Sequence, residues 1–170
     1  MIPAPFSVFQ SKNVHDYKPI FEGLVNDFGY IYYKTILKWC GILDDDKGEN
    51  KYWQVYLIRW EDKTVGICGL YSLYEFRTDE LWLGWFGVIP EMRNLNIGKY
   101  ALDWMKENAK SIGCKKIKSY IDKSQKPLPF YEKNGFHLVS TVGEYLERHT
   151  ELTLDSFEIE EDFVIEFKMD

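Results

Sequence analysis

Cysteine is scarce in this chain, and nothing suggests that it pairs. Cys40, Cys68 and Cys114 stand far apart with no Cys-x-x-Cys among them. Three widely separated thiols build no disulfide framework and suit a reducing cytosol, so a cytoplasmic protein with small buried cysteines is expected. Histidine is equally sparse: His15, His137 and His149 lack metal-ligand spacing, so no metal is predicted. Long apolar runs are missing too. The longest are strand-sized, so no membrane span is expected, and Met1-Ile2-Pro3-Ala4-Pro5 does not read as a signal peptide. Basic charge is in deficit, with 21 Lys and Arg against 27 Asp and Glu, which argues against nucleic acid as a partner. Neither a Gly-Lys-Ser/Thr phosphate loop nor a Gly-x-Gly-x-x-Gly dinucleotide fingerprint is present.

What the chain has in plenty is apolar and aromatic side chains, 45% and 17% of its 170 residues, enough for one domain over residues 1–170 with a real core. The net charge of -6 is uneven: residues 93–133 carry a balance of +6, leaving an acidic remainder. A basic middle in an acidic body suits an anionic ligand held centrally and a cationic one arriving from outside.

A short first strand is expected at Phe6 to Phe9, then a helix capped by Asn13 with Tyr17, Ile20, Phe21, Leu24, Val25 and Phe28 on one face. Tyr30 to Trp39 reads as a second helix, and residues 44–50 as a polar loop. Strands follow at Tyr52–Trp60, Thr64–Tyr74 and Glu80–Val88. The best helix runs from Ile97 to Ile112, burying Ile97, Ala101, Trp104, Met105, Ala109 and Ile112 and stopping at Gly113. A strand at Lys115–Ile121, a short helix at Leu128–Lys133 and strands at Phe136–Val142 and Phe163–Phe167 complete a mixed α/β domain. The final strand is expected at a sheet edge, where it could pair in a homodimer; a monomer is the other expectation.

The segment Trp85-Phe86-Gly87-Val88-Ile89-Pro90-Glu91-Met92-Arg93-Asn94-Leu95-Asn96-Ile97-Gly98-Lys99 carries the chemistry. A strand ends at a proline, a short turn follows, and a helix begins at once. Amides of such a turn and of a first helical turn lack intrahelical acceptors and converge, with the helix dipole, into an anion site. Gly98 keeps a Cβ out of the way; Arg93 and Lys99 bring positive charge.

Val88-x-Pro90-Glu91-x-Arg93-x-x-Asn96-x-Gly98 resembles the acetyl-CoA-binding motif of the GNAT N-acetyltransferase superfamily, Gln/Arg-x-x-Gly-x-Gly/Ala after a strand ending in Val-x-Pro. Phe130-Tyr131-Glu132-Lys133-Asn134-Gly135-Phe136 resembles the Tyr-x-x-x-Gly-Phe segment of the same family. The likeness is strongest over residues 80–137. Asn96 stands where the family has its first glycine, and asparagine tolerates a left-handed backbone. Ser124-Gln125 replaces an asparagine that contacts the cofactor, and Pro127 and Pro129 shorten the helix that follows.

The resemblance implies a mostly antiparallel, twisted sheet flanked by helices and splayed at the cofactor cleft. It implies acetyl-CoA as cosubstrate, with cofactor contacts at Phe86, Gly87, Val88, Arg93, Asn94, Leu95, Asn96, Ile97, Gly98, Lys99 and Ser124. The Val88 amide would stabilise the oxyanion, Tyr131 would protonate the departing thiolate, and Glu80 is the candidate general base. The expected acceptor is a cationic primary amine of a small molecule or peptide, received by Tyr30, Tyr32, Tyr33, Trp39, Tyr74, Trp82 and acidic residues of the tail. Bulky Trp82, Trp85 and Phe86 favour a small acyl group over succinyl or malonyl. A non-catalytic CoA-binding or protein-interaction module is the alternative in a different class.

Overall fold

The computed structural model describes residues 2–28, 36–37, 53–72, 79–149 and 161–170. Of the expected helix at 30–39 only Ile36 and Leu37 are among them, helical and buried; the polar loop at 44–50 and the acceptor aromatics Tyr30, Tyr32, Tyr33, Trp39 and Tyr74 lie outside those residues, as does Cys40.

Among the described residues seven strands form one sheet: β1 (Phe6–Phe9), β2 (Trp53–Trp60), β3 (Lys63–Tyr71), β4 (Glu80–Val88), β5 (Lys116–Ile121), β6 (His137–Thr141) and β7 (Phe163–Lys168). Their order is β1-β2-β3-β4-β5-β7-β6. Every neighbouring pair is antiparallel except β4–β5, which is parallel. The expected mixed α/β sheet is what forms. One expectation fails: β7 is not an edge. Its Val164, Ile165 and Glu166 are buried between β5 and β6, and the short β6 takes the edge instead. The chain of β7 carries enough apolar side chains to cover both faces, whereas β6 exposes Leu138 and Val139.

Helix α1 (Val14–Phe28) begins where Asn13 Oδ1 accepts the His15 amide at 3.0 Å, a side-chain cap. Tyr17, Ile20, Phe21 and Leu24 meet Val55, Leu57 and Ile67 on one face of the sheet. A Cβ at Gly23 would stand 2.6 Å from Ile89 Cγ2, so glycine there lets α1 press against the exit of β4.

Helix α2 (Ile97–Ser111) covers the opposite face with Ile97, Ala101, Leu102, Met105 and Ala109. Each large apolar side chain so buried contributes about 1.5–3 kcal/mol; Met105→Ala would cost roughly 2–5 kcal/mol through the cavity it leaves. Ile112, expected in this stripe, is exposed because the helix has ended, and Gly113 at φ 86 turns the chain away. Trp104 lies at the stripe's margin, edge-on to Tyr56 at 4.8 Å.

Helix α3 (Leu128–Lys133) forms where expected. Helix α4 (Val142–Arg148) was not expected. Its signal is a capping box, Thr141-Val142-Gly143-Glu144, in which Thr141 Oγ1 accepts the Glu144 amide at 3.1 Å. Val142 and Tyr145 pack on Tyr71, Trp82 and Val164. No described helix is long and apolar enough to cross a membrane.

Candidate active site

The site begins where the sheet stops being continuous. Backbone pairing between β4 and β5 covers only Glu80–Lys116, Leu81–Ile117 and Trp82–Lys118. One residue further on, Ser119 Oγ donates to the Leu83 carbonyl at 3.2 Å. Beyond that point β4 runs on to Val88 with no partner strand on this side among the described residues, although it stays paired with β3 on the other. Gly84, Trp85, Phe86 and Gly87 are accordingly half-buried, unusual for the middle strand of seven.

A bulge makes the divergence. Gly69 pairs with Gly84 and Ile67 with Gly87, so Trp85 and Phe86 stand opposite the single residue Cys68. Trp85 takes φ 51, a left-handed conformation that a bulky residue adopts only under tertiary constraint. Such a bulge bends its strand and increases the twist, which carries the end of β4 away from β5.

Past the bulge, the antiparallel alternation fixes which way the backbone points. The Ile89 amide donates to Val65 of β3 at 2.9 Å. The Val88 amide and carbonyl therefore face the opposite, open side, and Phe86 shares that orientation. The Val88 carbonyl already has a donor there, Arg93 Nε at 2.8 Å.

Pro90–Leu95 form a 3-10 turn, and Asn96, at φ 60 and ψ 18, passes the chain straight into α2. The left-handed conformation needed at the position of the family's glycine is thus adopted by asparagine. Asn96 makes no side-chain cap, so the first amides of α2, Ile97 to Lys99, are left for another acceptor. Asn94, Leu95 and Asn96 are exposed, Ile97 is buried, and Gly98 faces Phe130, whose Cζ would lie 3.5 Å from an added Cβ. The two cations are less free than the sequence suggests. Arg93 braces the end of β4, and Lys99 bonds Asp103 at 2.8 Å, which raises its pKa.

Tyr131 projects from α3 into an aromatic cluster on the β4 side of the splay. Its ring lies 5.3 Å from Phe130, 5.4 Å from Phe136 and 6.4 Å from Phe86, and Phe86 stacks on Phe130 at 6.1 Å. Burial pushes the phenol well above its ordinary value, so it keeps its proton. Ser124 lies in the turn before α3, its amide bonded to Asp122 Oδ1 at 2.8 Å. The Ser124 hydroxyl and, after it, that amide hold the Asp122 carboxyl below its usual range. Asp162, buried at the entry to β7, accepts the Lys123 amide at 3.2 Å and so ties the same turn to the sheet.

Two expected site residues stand elsewhere. Glu80 lies at the paired end of β4, eight residues from Val88 and roughly 26 Å of strand away. Its carboxylate is held by Lys118 at 3.3 Å and accepts from the Tyr145 hydroxyl at 3.1 Å, in a cluster shielded from solvent that continues to Glu166. Trp82 pairs with Lys118 at the same end of the strand. It is fully buried, edge-on to Tyr145 at 5.3 Å. The resemblance points to Glu80 as a carboxylate on the cleft strand and to Trp82 as an aromatic near the acceptor, and neither ground tells the closed end of a splayed pair from the open one. Ser119 and Lys106 carry no signal in the sequence for a related reason: each bonds a partner distant along the chain.

Solved structures of the same fold cover nearly the whole chain. An N-acetyltransferase from Thermoplasma acidophilum (PaiA), in complex with coenzyme A, is 16% identical at TM-score 0.63, covering 96% of this chain and 99% of that one. Ard1 from Thermoplasma volcanium is 11% identical at TM-score 0.70, covering 98% and 99%. A GNAT family acetyltransferase from Elizabethkingia anophelis with acetyl-CoA bound is 15% identical at TM-score 0.66, covering 98% and 100%. At these identities the likeness speaks for the fold. No curated protein matches in sequence. The model of the acetyltransferase (GNAT) family matches residues 14–136, most of the chain, and takes in both the turn after β4 and the Tyr131 segment. The protein therefore belongs to the GNAT acetyltransferase family.

Proposed function

We propose that this protein transfers the acetyl group of acetyl-CoA to a primary amine by direct attack, both substrates being bound together. The observation that carries the reading is the open side of β4, where Phe86 and Val88 turn backbone groups into a gap between two central strands. A ligand with amides along an extended arm can continue the sheet there, and pantetheine is such an arm. The uncapped amides of Ile97 to Lys99, at the positive end of α2, suit a pyrophosphate at the mouth of the same gap.

Acetyl-CoA would supply an activated acyl group as a thioester. The Val88 amide would stabilise charge developing on the carbonyl oxygen, in a setting already aligned by the bulge at Trp85. The amine would shed its excess proton to solvent water before it attacks. Tyr131, kept protonated by burial, would give its proton to the thiolate as the C–S bond breaks and recover one, through water, from the nitrogen of the collapsing intermediate. Phe86 and Phe130 would keep water from the acyl end and favour a small acyl group. Glu80 has no part in this reading, because Lys118 and Tyr145 already engage it at the closed end of the strand pair. The acceptor would be a small-molecule or peptide amine of cationic character, and the enzyme would work in the cytoplasm.

Thermal melting decides the cofactor. Millimolar acetyl-CoA and CoA should raise the melting temperature while NADH leaves it unchanged. A melting curve indifferent to every CoA species would remove the proposal. With binding established, thiol release against a panel of primary amines identifies the acceptor.

A further inference from the structure

Helix α3 has six residues and yet carries Tyr131, so something outside the helix must hold it. Its C-terminal carbonyls are gathered by several donors. Asn134 and Phe136 each donate their amides to the Tyr131 carbonyl at 3.0 Å, and Asn134 Nδ2 caps the Phe130 carbonyl at 2.8 Å. The Asn134 carbonyl in turn accepts from the ammonium of Lys106, which reaches across from α2.

Lys106 is not arranged like a solvated surface lysine. Its Nζ sits 4.1 Å from the centre of the Phe167 ring of β7 and 5.7 Å from that of Phe136, and the two rings lie 5.6 Å apart. Burial lowers its pKa, because desolvation opposes the charged form. Gly135 closes the assembly at φ 88, where a Cβ would come within 3.0 Å of Phe167. One cation thus joins α2, the C-terminus of α3 and β7, and it stands at the negative end of the α3 dipole.

We propose that Lys106 is a positioning residue for Tyr131: its ammonium pins the C-terminus of α3 onto α2 and β7, and so fixes the phenol beside Phe86 at the splay. The catalytic consequence rests on the acetyl-transfer reading; the placement of Tyr131 does not. Lys106→Met keeps most of the stem and removes the cation, whereas Lys106→Arg keeps the charge. With ring-labelled tyrosine, the Tyr131 resonance is recognised by its loss in Tyr131→Phe.

Lys106→Met should shift that resonance and lower kcat for thiol release about tenfold, with KM for acetyl-CoA within about twofold, since small misplacements of a reacting group act on the transition state. Lys106→Arg should restore both. A Tyr131 resonance unmoved in Lys106→Met overturns the proposal, as does an unchanged kcat or a rise in KM that accounts for the whole loss. Should Lys106→Met fail to fold, Lys106→Gln carries the same measurements. If the wild type released no thiol with any amine, acetyl transfer would fall and the resonance alone would decide the role of Lys106.

Discussion

The Ser119 hydroxyl donates to the Leu83 carbonyl at 3.2 Å, one residue beyond the last backbone pair of β4 and β5. A side chain there finishes the ladder that the backbones have abandoned. Ser119→Ala would leave a buried carbonyl without this donor, costing about 1–3 kcal/mol. Urea unfolding should show the loss as a lower midpoint with an unchanged slope. A midpoint equal to the wild type would mean that the splay needs no such closure.

Tyr131→Phe removes one hydroxyl from an otherwise intact aromatic cluster. Turnover measured by thiol release should fall about 10²-fold or more, with KM for acetyl-CoA nearly unchanged. Full activity in this variant would end the general-acid assignment.

Gly98→Ala separates stability from binding. The added Cβ meets Phe130 at ordinary contact distance, and alanine gains up to about 1 kcal/mol over glycine inside a helix. The variant should therefore melt at or above the wild-type temperature. The same methyl, near the first amides of α2, should weaken acetyl-CoA binding by calorimetry. Unaltered affinity would place the pyrophosphate elsewhere.

Glu80→Gln tests the base that the resemblance implies. Loss of its charge beside Lys118 should destabilise the protein by roughly 2–3 kcal/mol, softened because Glu166 remains 3.9 Å from the same ammonium. The pH dependence of kcat should keep its shape. A lost acidic limb would return Glu80 to the catalytic machinery.

Alkaline unfolding has a defined sign. Burial pushes up the Tyr131 phenol and the Cys68 thiol, and burial with a neighbouring Tyr120 pushes up the Tyr71 phenol. Each group therefore stabilises the fold fully below its unfolded pKa, about 8.5 for the thiol and about 10 for the phenols, and less as pH rises beyond it. Stability should be level near pH 7 to 8 and decline above about pH 9, and Cys68→Ala should delay the onset. A rise in stability between pH 9 and 11 would contradict the burial of these groups.

Local pattern made most of the elements legible. Helix α2 was readable because Ile97, Ala101, Met105 and Ala109 recur at helical spacing and Gly113 ends it. The turn after β4 was readable because Pro90, Asn96 and Gly98 constrain the backbone through their own chemistry. Helix α4 was not legible although its capping box is written in Thr141 to Glu144, because seven residues with Gly143 in the first turn show too little periodicity and hold their shape by packing.

The sequence by itself determined the composition of the strands, the strand–turn–helix that presents uncapped amides, and the presence of Tyr131 on a short helix. These depend on residues close together in the chain, where propensity and steric limits act directly. Only the tertiary structure decided where β4 and β5 part, that β7 lies inside the sheet, that Glu80 belongs to a buried ion cluster, and that Lys106 reaches Asn134. Those facts rest on pairings between segments tens of residues apart, selected by how whole faces bury together and by which buried charges find partners.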